Sequence, residues 1–201
     1  MTNPNQSLQI SVARQRGFTL LEIVIAVLIL SLGLLGVVSL QTLAIQASRD
    51  AQQHSTASQY ALELAEMLQS GPASSKLDST DISPYFLTFD SAINDLATTV
   101  PHRIDCVTSV CNAPRDWSQW QMRDWLHRIN ADLPGTKVSV CFDSSPYDPD
   151  GLPQWACTNS GSVAVIKLGW TRASFHGQAT GEAAFDRART PAIIVPVSIT
   201  H

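Results

Sequence analysis

The sequence predicts an α+β fold in which a long N-terminal helix packs its second half on a small antiparallel sheet. Three observations predict it. An uncharged stretch runs from Ile23 to Ser48. The helical pattern then continues as an amphipathic segment to Ser70. Three strand-like segments, rich in valine and isoleucine, follow in the C-terminal half.

The composition suits one membrane segment and one modest soluble domain. Of the 201 residues, 44% are hydrophobic and 15% are charged, and a soluble part of about 130–150 residues can bury its own core. Met1–Gly17 contains Arg14 and Arg16 but no acidic residue, so removing it takes the formal net charge from −4 to −6. An acidic chain without a basic cluster argues against binding nucleic acid through its phosphates.

The uncharged stretch predicts a transmembrane helix over about residues 21–43, which is long enough for a hydrocarbon layer of about 30 Å. Arg14 and Arg16 precede it, so we expect residues 1–17 to stay in the cytoplasm. A secretory signal peptide is disfavoured because its apolar region spans only about 7–15 residues. An ordinary signal anchor does not account for Glu22, since a charge within a membrane helix costs about 2.5–3.5 kcal/mol.

The apolar stretch begins with the run Gly17-Phe18-Thr19-Leu20-Leu21-Glu22. With arginines before it and an uncharged helix after it, this run resembles the cleavage and assembly signature of type IV pilins and type II secretion pseudopilins. The resemblance implies that prepilin peptidase, a membrane aspartyl protease, cuts after Gly17 and methylates the new N-terminal residue, Phe18. It also implies a pilin-like fold, with a leader at 1–17, a long helix at 18–70 and a periplasmic α+β domain at 71–201.

The residue types of this run fit that chemistry. Glycine lets the backbone extend in a protease cleft, and cleavage would expose a cationic amine at Phe18. Glu22 is an anion in an apolar setting, and a buried unpaired charge is costly unless a cation lies beside it. We therefore expect Glu22 to pair with the Phe18 amine of an adjacent subunit during filament assembly.

The long helix is expected to end at Gly71-Pro72. Gly33 and Gly36 either soften its first half or allow another helix to approach closely. Many major pilins have a helix-kinking proline near the depth of Ser39, and this departure favours a minor pilin or a pseudopilin. Beyond the membrane segment, small and apolar residues recur at helical spacing, namely Leu40, Leu43, Ala44, Ala47, Ala51, Ala61, Leu62, Ala65 and Leu68.

The segment from Gly71 to Pro101 predicts a loop, with a short strand near Tyr85–Phe89. A second helix is expected to start at Asn112 or Ala113, because proline follows at position 114 and suits a first turn. It should end at Leu133-Pro134-Gly135. Its apolar stripe consists of Met122, Trp125, Leu126 and Ile129, and Trp117 and Trp120 are interpreted as core or docking residues rather than a ligand platform.

The strands are predicted at Lys137–Phe142, Val163–Thr171 and Ala192–Thr200. Loops at 143–162 and 172–189 separate them. Pro196 lies inside the last segment, and a proline removes a backbone donor. The last strand is therefore expected at an edge of the sheet or at a bulge.

The four cysteines all lie beyond the membrane segment, at Cys106, Cys111, Cys141 and Cys157. An even number in an exported domain favours disulfides over free thiols. Three pairings are possible and the sequence does not choose among them; Cys106–Cys111 and Cys141–Cys157 are favoured because both close local loops. Zinc is disfavoured because no CxxC occurs and no histidine sits at ligand spacing from a cysteine.

The soluble part has four further features. Cys111 comes shortly before a tryptophan-rich helix that contains Asp116-Trp117 and Trp125, and Leu133–Gly135 follows the end of this helix. Two strands follow, Val-Ser-Val-Cys141 and the Val-Ala-Val strand that leads to Trp170. In these features the chain resembles PilV-type minor pilins. The resemblance implies a role in initiating pilus assembly, hence in motility and adhesion. The implied partners are other minor and major pilins, a tip adhesin and the inner-membrane assembly platform. A type II secretion pseudopilin or a DNA-uptake minor pilin is the alternative.

No motif for catalysis is present in the sequence. The five histidines fit neither HExxH nor a nucleophile elbow, and neither a Walker loop nor GxGxxG occurs. Asp148-Pro149-Asp150-Gly151 is interpreted as a turn rather than a calcium loop. We therefore expect no enzyme, no cofactor and no metal. The expected location is the inner membrane, in a single pass, and then the pilus fibre.

Overall fold

The computed structural model describes residues 19–70, 83–93, 99–100, 105–173 and 185–198. The chain divides into two compact units, Met1–Ser48 and Arg49–His201. The elements are α1 (Leu20–Ser70), β1 (Thr88–Asp90), α2 (Pro114–Asp132), β2 (Lys137–Phe142), β3 (Val163–Gly169), β4 (Arg172–Ala173), β5 (Phe185–Asp186) and β6 (Ile193–Ser198). The fold class is α+β, as predicted.

Helix α1 is continuous from Leu20 to Ser70, which is the predicted C-terminal limit. The predicted first residue, Phe18, and the predicted stop at Gly71-Pro72 lie outside the described residues. In the first unit α1 contributes apolar side chains that contact no other element of that unit within the described residues. In the second unit its last four turns line a core.

A four-stranded antiparallel sheet of order β1-β2-β3-β6 forms the other side of that core. Val140 pairs with Ile166, and Ile166 pairs in turn with Val195. Because paired residues of antiparallel strands point to the same side, valine and isoleucine line one face of the sheet. Strand β6 is at the edge of this sheet, as predicted. An edge strand tolerates the missing backbone amide of Pro196.

The core lies between this face of the sheet, α2 and the end of α1. The buried residues of α1 are Ala57, Ala61, Leu64, Ala65 and Leu68, and those of α2 include Met122, Trp125, Leu126 and Ile129. The predicted stripe was wrong at Ala51, which is exposed, and at Leu62, which is 59% exposed, and it omitted Ala57 and Leu64, which are fully buried. Positions 61, 64, 65 and 68 keep one helical face, whereas position 62 is about 100° away from it.

Helix α2 begins as predicted, with Ala113 as the extended cap and Pro114 in the first turn. Its exit depends on Gly135, whose φ is +61° and whose added Cβ would collide with the side chain of Thr171. Glycine is the residue that allows both features. The Thr171 amide then donates to the Pro134 carbonyl at 2.8 Å, so the exit from α2 is tied to the end of β3.

Two predicted segments are corrected by the structure. The short strand expected near Tyr85–Phe89 is β1, Thr88–Asp90. Tyr85 instead lies in a turn, where it is buried and donates its hydroxyl to Gln121 Oε1 at 2.9 Å. The loop expected at 172–189 contains the two-residue strands β4 and β5, which are too short to show an alternating pattern.

The opposite face of the sheet is covered by the loop at 143–162. Ser139, Cys141 and Lys167 point to this face, and all three are buried. Cys141 is joined to Cys157 of the loop, and Lys167 Nζ donates to the Ala156 carbonyl at 2.6 Å. The loop therefore forms a third layer over the central strands.

Candidate functional site

The first turn of α1 is organised by Thr19. Its carbonyl accepts the amides of Glu22 at 3.0 Å and Ile23 at 3.4 Å, and its hydroxyl accepts the Glu22 amide at 3.4 Å. Thr19 is therefore the N-cap, which supplies an acceptor for an otherwise unpaired amide at the helix start. Glu22 occupies the third helical position, where a negative charge is favoured by the helix dipole.

Sequence analysis missed this capping role of Thr19. The signal was present as Thr-x-x-Glu directly before an apolar run, which is the pattern of a capping box. Only the Thr19 half of this pattern is formed within the described residues, where the Glu22 amide donates to Thr19 and no donor binds the Glu22 carboxylate. Any experiment on Glu22 must therefore separate pairing of its charge with another molecule from a local effect on the helix start.

Glu22 is exposed, and no donor within the described residues binds its carboxylate. Three hydroxyl groups of this apolar stretch are satisfied by the helix itself. The hydroxyls of Ser31, Ser39 and Thr42 donate to backbone carbonyls three or four residues earlier, at 2.8 to 3.0 Å. Glu22 is therefore a charged group of this stretch for which the described residues provide no partner.

The large apolar side chains between residues 20 and 45 are all 49 to 80% exposed. Such a long apolar surface is not left in water, because each large side chain gains about 1.5–3 kcal/mol on burial. By length and composition α1 can cross a membrane: its most apolar 18-residue window has a mean hydropathy of 2.9 and is 0% buried. Lipid or other apolar helices can cover this surface.

The structure places the predicted site residues as follows. Glu22 is in the first turn of α1, whereas Gly17 and Phe18 lie outside the described residues. A Cβ added at Gly33 or Gly36 would meet nothing within 4 Å. Neither glycine is therefore required by packing within the described chain, and both interpretations of them stay predictions.

The cysteines form the pairs Cys106–Cys111 and Cys141–Cys157, which are the two favoured by local loop closure. Asp143 lies close to the second pair, so that three ligand-type side chains are grouped. This group is not a ready metal site. Its sulfurs are bonded to each other, and the Asp143 carboxylate is 2.5 Å from the Lys167 ammonium.

The aromatic residues of α2 have two different environments. Trp125 is fully buried and donates Nε1–H to the Tyr60 carbonyl at 3.1 Å, so it holds α2 against α1. Trp117 is 40% exposed and stacks on Trp120, with ring centroids 5.1 Å apart. The Trp117–Trp120 stack is therefore part of the surface of α2 and not of the hydrophobic core.

Comparison with known families identifies a motif at the N-terminal end of the chain. Residues 12–38 match the family model described as the prokaryotic N-terminal methylation motif. The match supports a type IV pilin-like or pseudopilin protein, a class that is structural rather than enzymatic. It implies processing by prepilin peptidase and association with pilins in general, and with the apolar helix it fits single-pass membrane anchoring.

The match covers 27 of the 201 residues, and these lie at the N-terminal end of the chain. No curated protein and no solved structure matches the chain. The specific role must therefore be argued from the chemistry of the first turn and of the second unit.

Proposed function

We propose that this protein is a minor pilin of a type IV pilus that takes part in initiating pilus assembly, and so in motility and adhesion. Prepilin peptidase removes residues 1–17, and Phe18 becomes the methylated N-terminus. The mature protein crosses the inner membrane once, with domain 71–201 in the periplasm, before it enters the fibre. Its partners are other minor and major pilins, a tip adhesin and the assembly platform.

The observation that carries this proposal is the Glu22 carboxylate, which has no partner within the described residues and lies in a helix without another charge up to Ser48. In lipid or in a bundle of apolar helices, this charge needs a cation beside it. Processing creates such a cation at Phe18 of every subunit. Pairing between subunits then repeats along a filament and fixes the axial register of the helices.

The resemblance of the second unit to PilV-type proteins favours the pilus over a secretion filament. That unit contains the residues on which this resemblance depends: Cys111 before α2, the buried Trp125 within α2, and Trp170 directly after β3. A type II secretion pseudopilin shares the N-terminal signature, so the two roles differ in the phenotype of a deletion.

Substitutions at Glu22 test the charge pairing. Glu22→Gln removes the charge but keeps a residue that completes a capping box, whereas Glu22→Ala removes both. We expect both variants to be cleaved and methylated normally, and both to be depleted from sheared pili roughly 100-fold or more, the effect of an unpaired buried charge. Thr19→Ala, which weakens only the cap by about 1 kcal/mol, should reduce incorporation far less.

The readouts are the mass of the mature N-terminus and the amount of the chain in the pilus fraction. If Glu22→Gln enters filaments as well as wild type, the charge of Glu22 is not needed for incorporation and the pairing is wrong. An unprocessed Met1 on the cellular protein would exclude the filament role altogether.

A deletion strain separates the pilus from the secretion system. Loss of surface spreading with unchanged release of exoproteins is the expected result. Loss of exoprotein release with normal spreading would assign the chain to a secretion pseudopilin. Complementation with the full-length chain should restore the phenotype that is lost.

A further inference from the structure

A hairpin at residues 145–154 exposes two large apolar side chains. Tyr147 is 47% exposed and Leu152 is 58% exposed. Tyr147 pairs with Pro153 in an antiparallel bridge. The chain reverses between Asp148 and Gly151, whose φ of +81° suits a glycine. Because Tyr147 lies opposite Pro153, the neighbouring Leu152 points to the other face of the hairpin. An exposed aromatic side chain and an exposed leucine on the two faces of one turn make its tip a candidate contact surface.

This hairpin is held in one conformation by its own hydrogen bonds. Asp148 Oδ1 accepts the amides of Asp150 at 3.0 Å and Leu152 at 2.8 Å. Gln154 Nε2 donates to the carbonyl of Ser145 at 2.9 Å. A surface that is already ordered before binding loses less conformational entropy when a partner docks.

The base of the hairpin is fixed to the sheet. The Cys141–Cys157 disulfide brackets it, and the buried ion pair between Asp143 and Lys167 lies beneath it. The Thr158 hydroxyl also donates to Asp143 Oδ1 at 3.1 Å. The hairpin is therefore a rigid projection from the central strands.

The charge of this loop is of one sign. No lysine, arginine or histidine occurs between Phe142 and Ser162, and the acidic residues are Asp143, Asp148 and Asp150. Lys167 neutralises Asp143, so the hairpin itself has two negative charges beside its apolar pair. Like charges repel both a second copy of the same hairpin and an anionic lipid surface, whereas a basic surface attracts it.

We propose that the 145–154 hairpin docks into a partner protein that has an apolar cleft bordered by lysine or arginine. The hairpin tip inserts into the cleft so that Tyr147 and Leu152 pack on its two walls, and Asp148 and Asp150 face the basic border. Aromatic side chains in a preordered setting are the usual centres of binding energy at such contacts. The inference does not rest on the filament role, because the hairpin belongs to the second unit and Glu22 to the first.

Site-specific photocrosslinking of the full chain in the cells that make it tests this proposal. The probe is Tyr147→p-benzoylphenylalanine, and the control is the same substitution at Val110, which is 79% exposed on the other disulfide loop. The expected result is an adduct from position 147, absent from position 110, with a second protein whose crosslinked peptide contains lysine or arginine among apolar residues.

Two second-site changes then test the chemistry of the contact. In the probe background, Asp150→Lys and Leu152→Ser should each lower the adduct yield about tenfold. Asp150→Glu should preserve the yield because it keeps the charge. Asp150 and Leu152 contribute backbone amides, not side chains, to the turn. Retention of both disulfides on non-reducing gels verifies that each variant is folded.

The proposal would be overturned by an adduct with lipid only or with another copy of this chain. It would equally be overturned by the same adduct from position 110, or by an adduct yield that Asp150→Lys leaves unchanged. Absence of any adduct at position 147, with the chain present at its normal level, would also overturn it. If Glu22 variants enter filaments normally while the crosslink persists, the charge pairing is wrong and the docking stands; if they stop entering filaments while the crosslink persists, both proposals stand.

Discussion

Removing Lys167 should destabilise the second unit more than removing any other lysine of the sheet. Its side chain and that of Asp143 are both 0% exposed and lie 2.5 Å apart. Lys167→Met leaves the carboxylate buried without its cation, which costs about 3–5 kcal/mol. The Ala156 carbonyl also loses its donor at 2.6 Å, for about 1 kcal/mol more.

Urea denaturation of the full chain in detergent, followed by the near-ultraviolet circular dichroism of the tryptophans, measures this loss. Lys137→Met is the matched control, because the side chain of Lys137 is 29% exposed and its nitrogen lies 3.5 Å from Asp90. The control should cost about 1 kcal/mol or less. Asp143→Asn added to Lys167→Met should restore much of the stability, since a neutral side chain can still accept at Oδ1.

The pH dependence provides the sharper test. Burial alone would raise the pKa of Asp143, but the Lys167 ammonium and the amides of Ser145 and Thr158 outweigh it and lower the pKa below the usual value. The stability contributed by this depressed pKa is present above about pH 4 and is lost as the pH falls through the folded value.

In Lys167→Met the opposing effect of burial dominates, so the folded pKa of Asp143 should rise above the unfolded one. Protonation then relieves the penalty, and the difference from wild type should shrink between pH 7 and about pH 4. The refuting results for Lys167→Met are a decrease in the free energy of unfolding of less than about 1 kcal/mol at pH 7, or a decrease that is independent of pH. Either result would show that burial does not determine how much the Asp143–Lys167 pair contributes to stability.

Three further predictions use the same unfolding assay. Burial and the hydrogen bond to Asp132 raise the pKa of Tyr60 to about 12, so wild type should lose stability between about pH 10 and 12, and Tyr60→Phe should remove this dependence. Arg128→Ala breaks an ion pair that is 41% exposed on the arginine side, and it should cost about 1 kcal/mol and less in high salt. Gly169→Ala would place a Cβ 2.9 Å from Trp155 Cζ2, and it should cost about 1–3 kcal/mol.

The parts of the fold that the sequence predicts well are those with local signals. Strand β2 has the predicted bounds because valine recurs at every second position and turn residues lie beyond both ends. Helix α2 begins where Pro114 allows it. In the first unit, the sequence alone identifies Glu22, because a single charge in an apolar run is visible without any tertiary contact.

The parts that the sequence does not predict depend on distant residues. Lys167 resembles an ordinary exposed position of a half-buried strand, and its burial depends on the fold of the loop that contains Asp143. The covering of the sheet by that loop likewise requires the close approach of Trp155 to Gly169, which no periodicity announces. The exposure of Leu62 depends on which helical face meets the sheet.

The two carboxylates, Asp143 and Glu22, provide the strongest argument for an intermolecular role of the N-terminus. Where a carboxylate of this chain is buried, at Asp143, the fold supplies an ammonium, two amides and a hydroxyl to it. Glu22 is surrounded by leucine and isoleucine, yet no group within the described residues binds its carboxylate. Because an enclosed charge without a cation would cost several kcal/mol, the cation for Glu22 is expected from another molecule. Under the proposed function, a processed neighbouring subunit would provide this cation at Phe18, and Glu22→Gln is the change that tests this while keeping a residue type that suits the helix start.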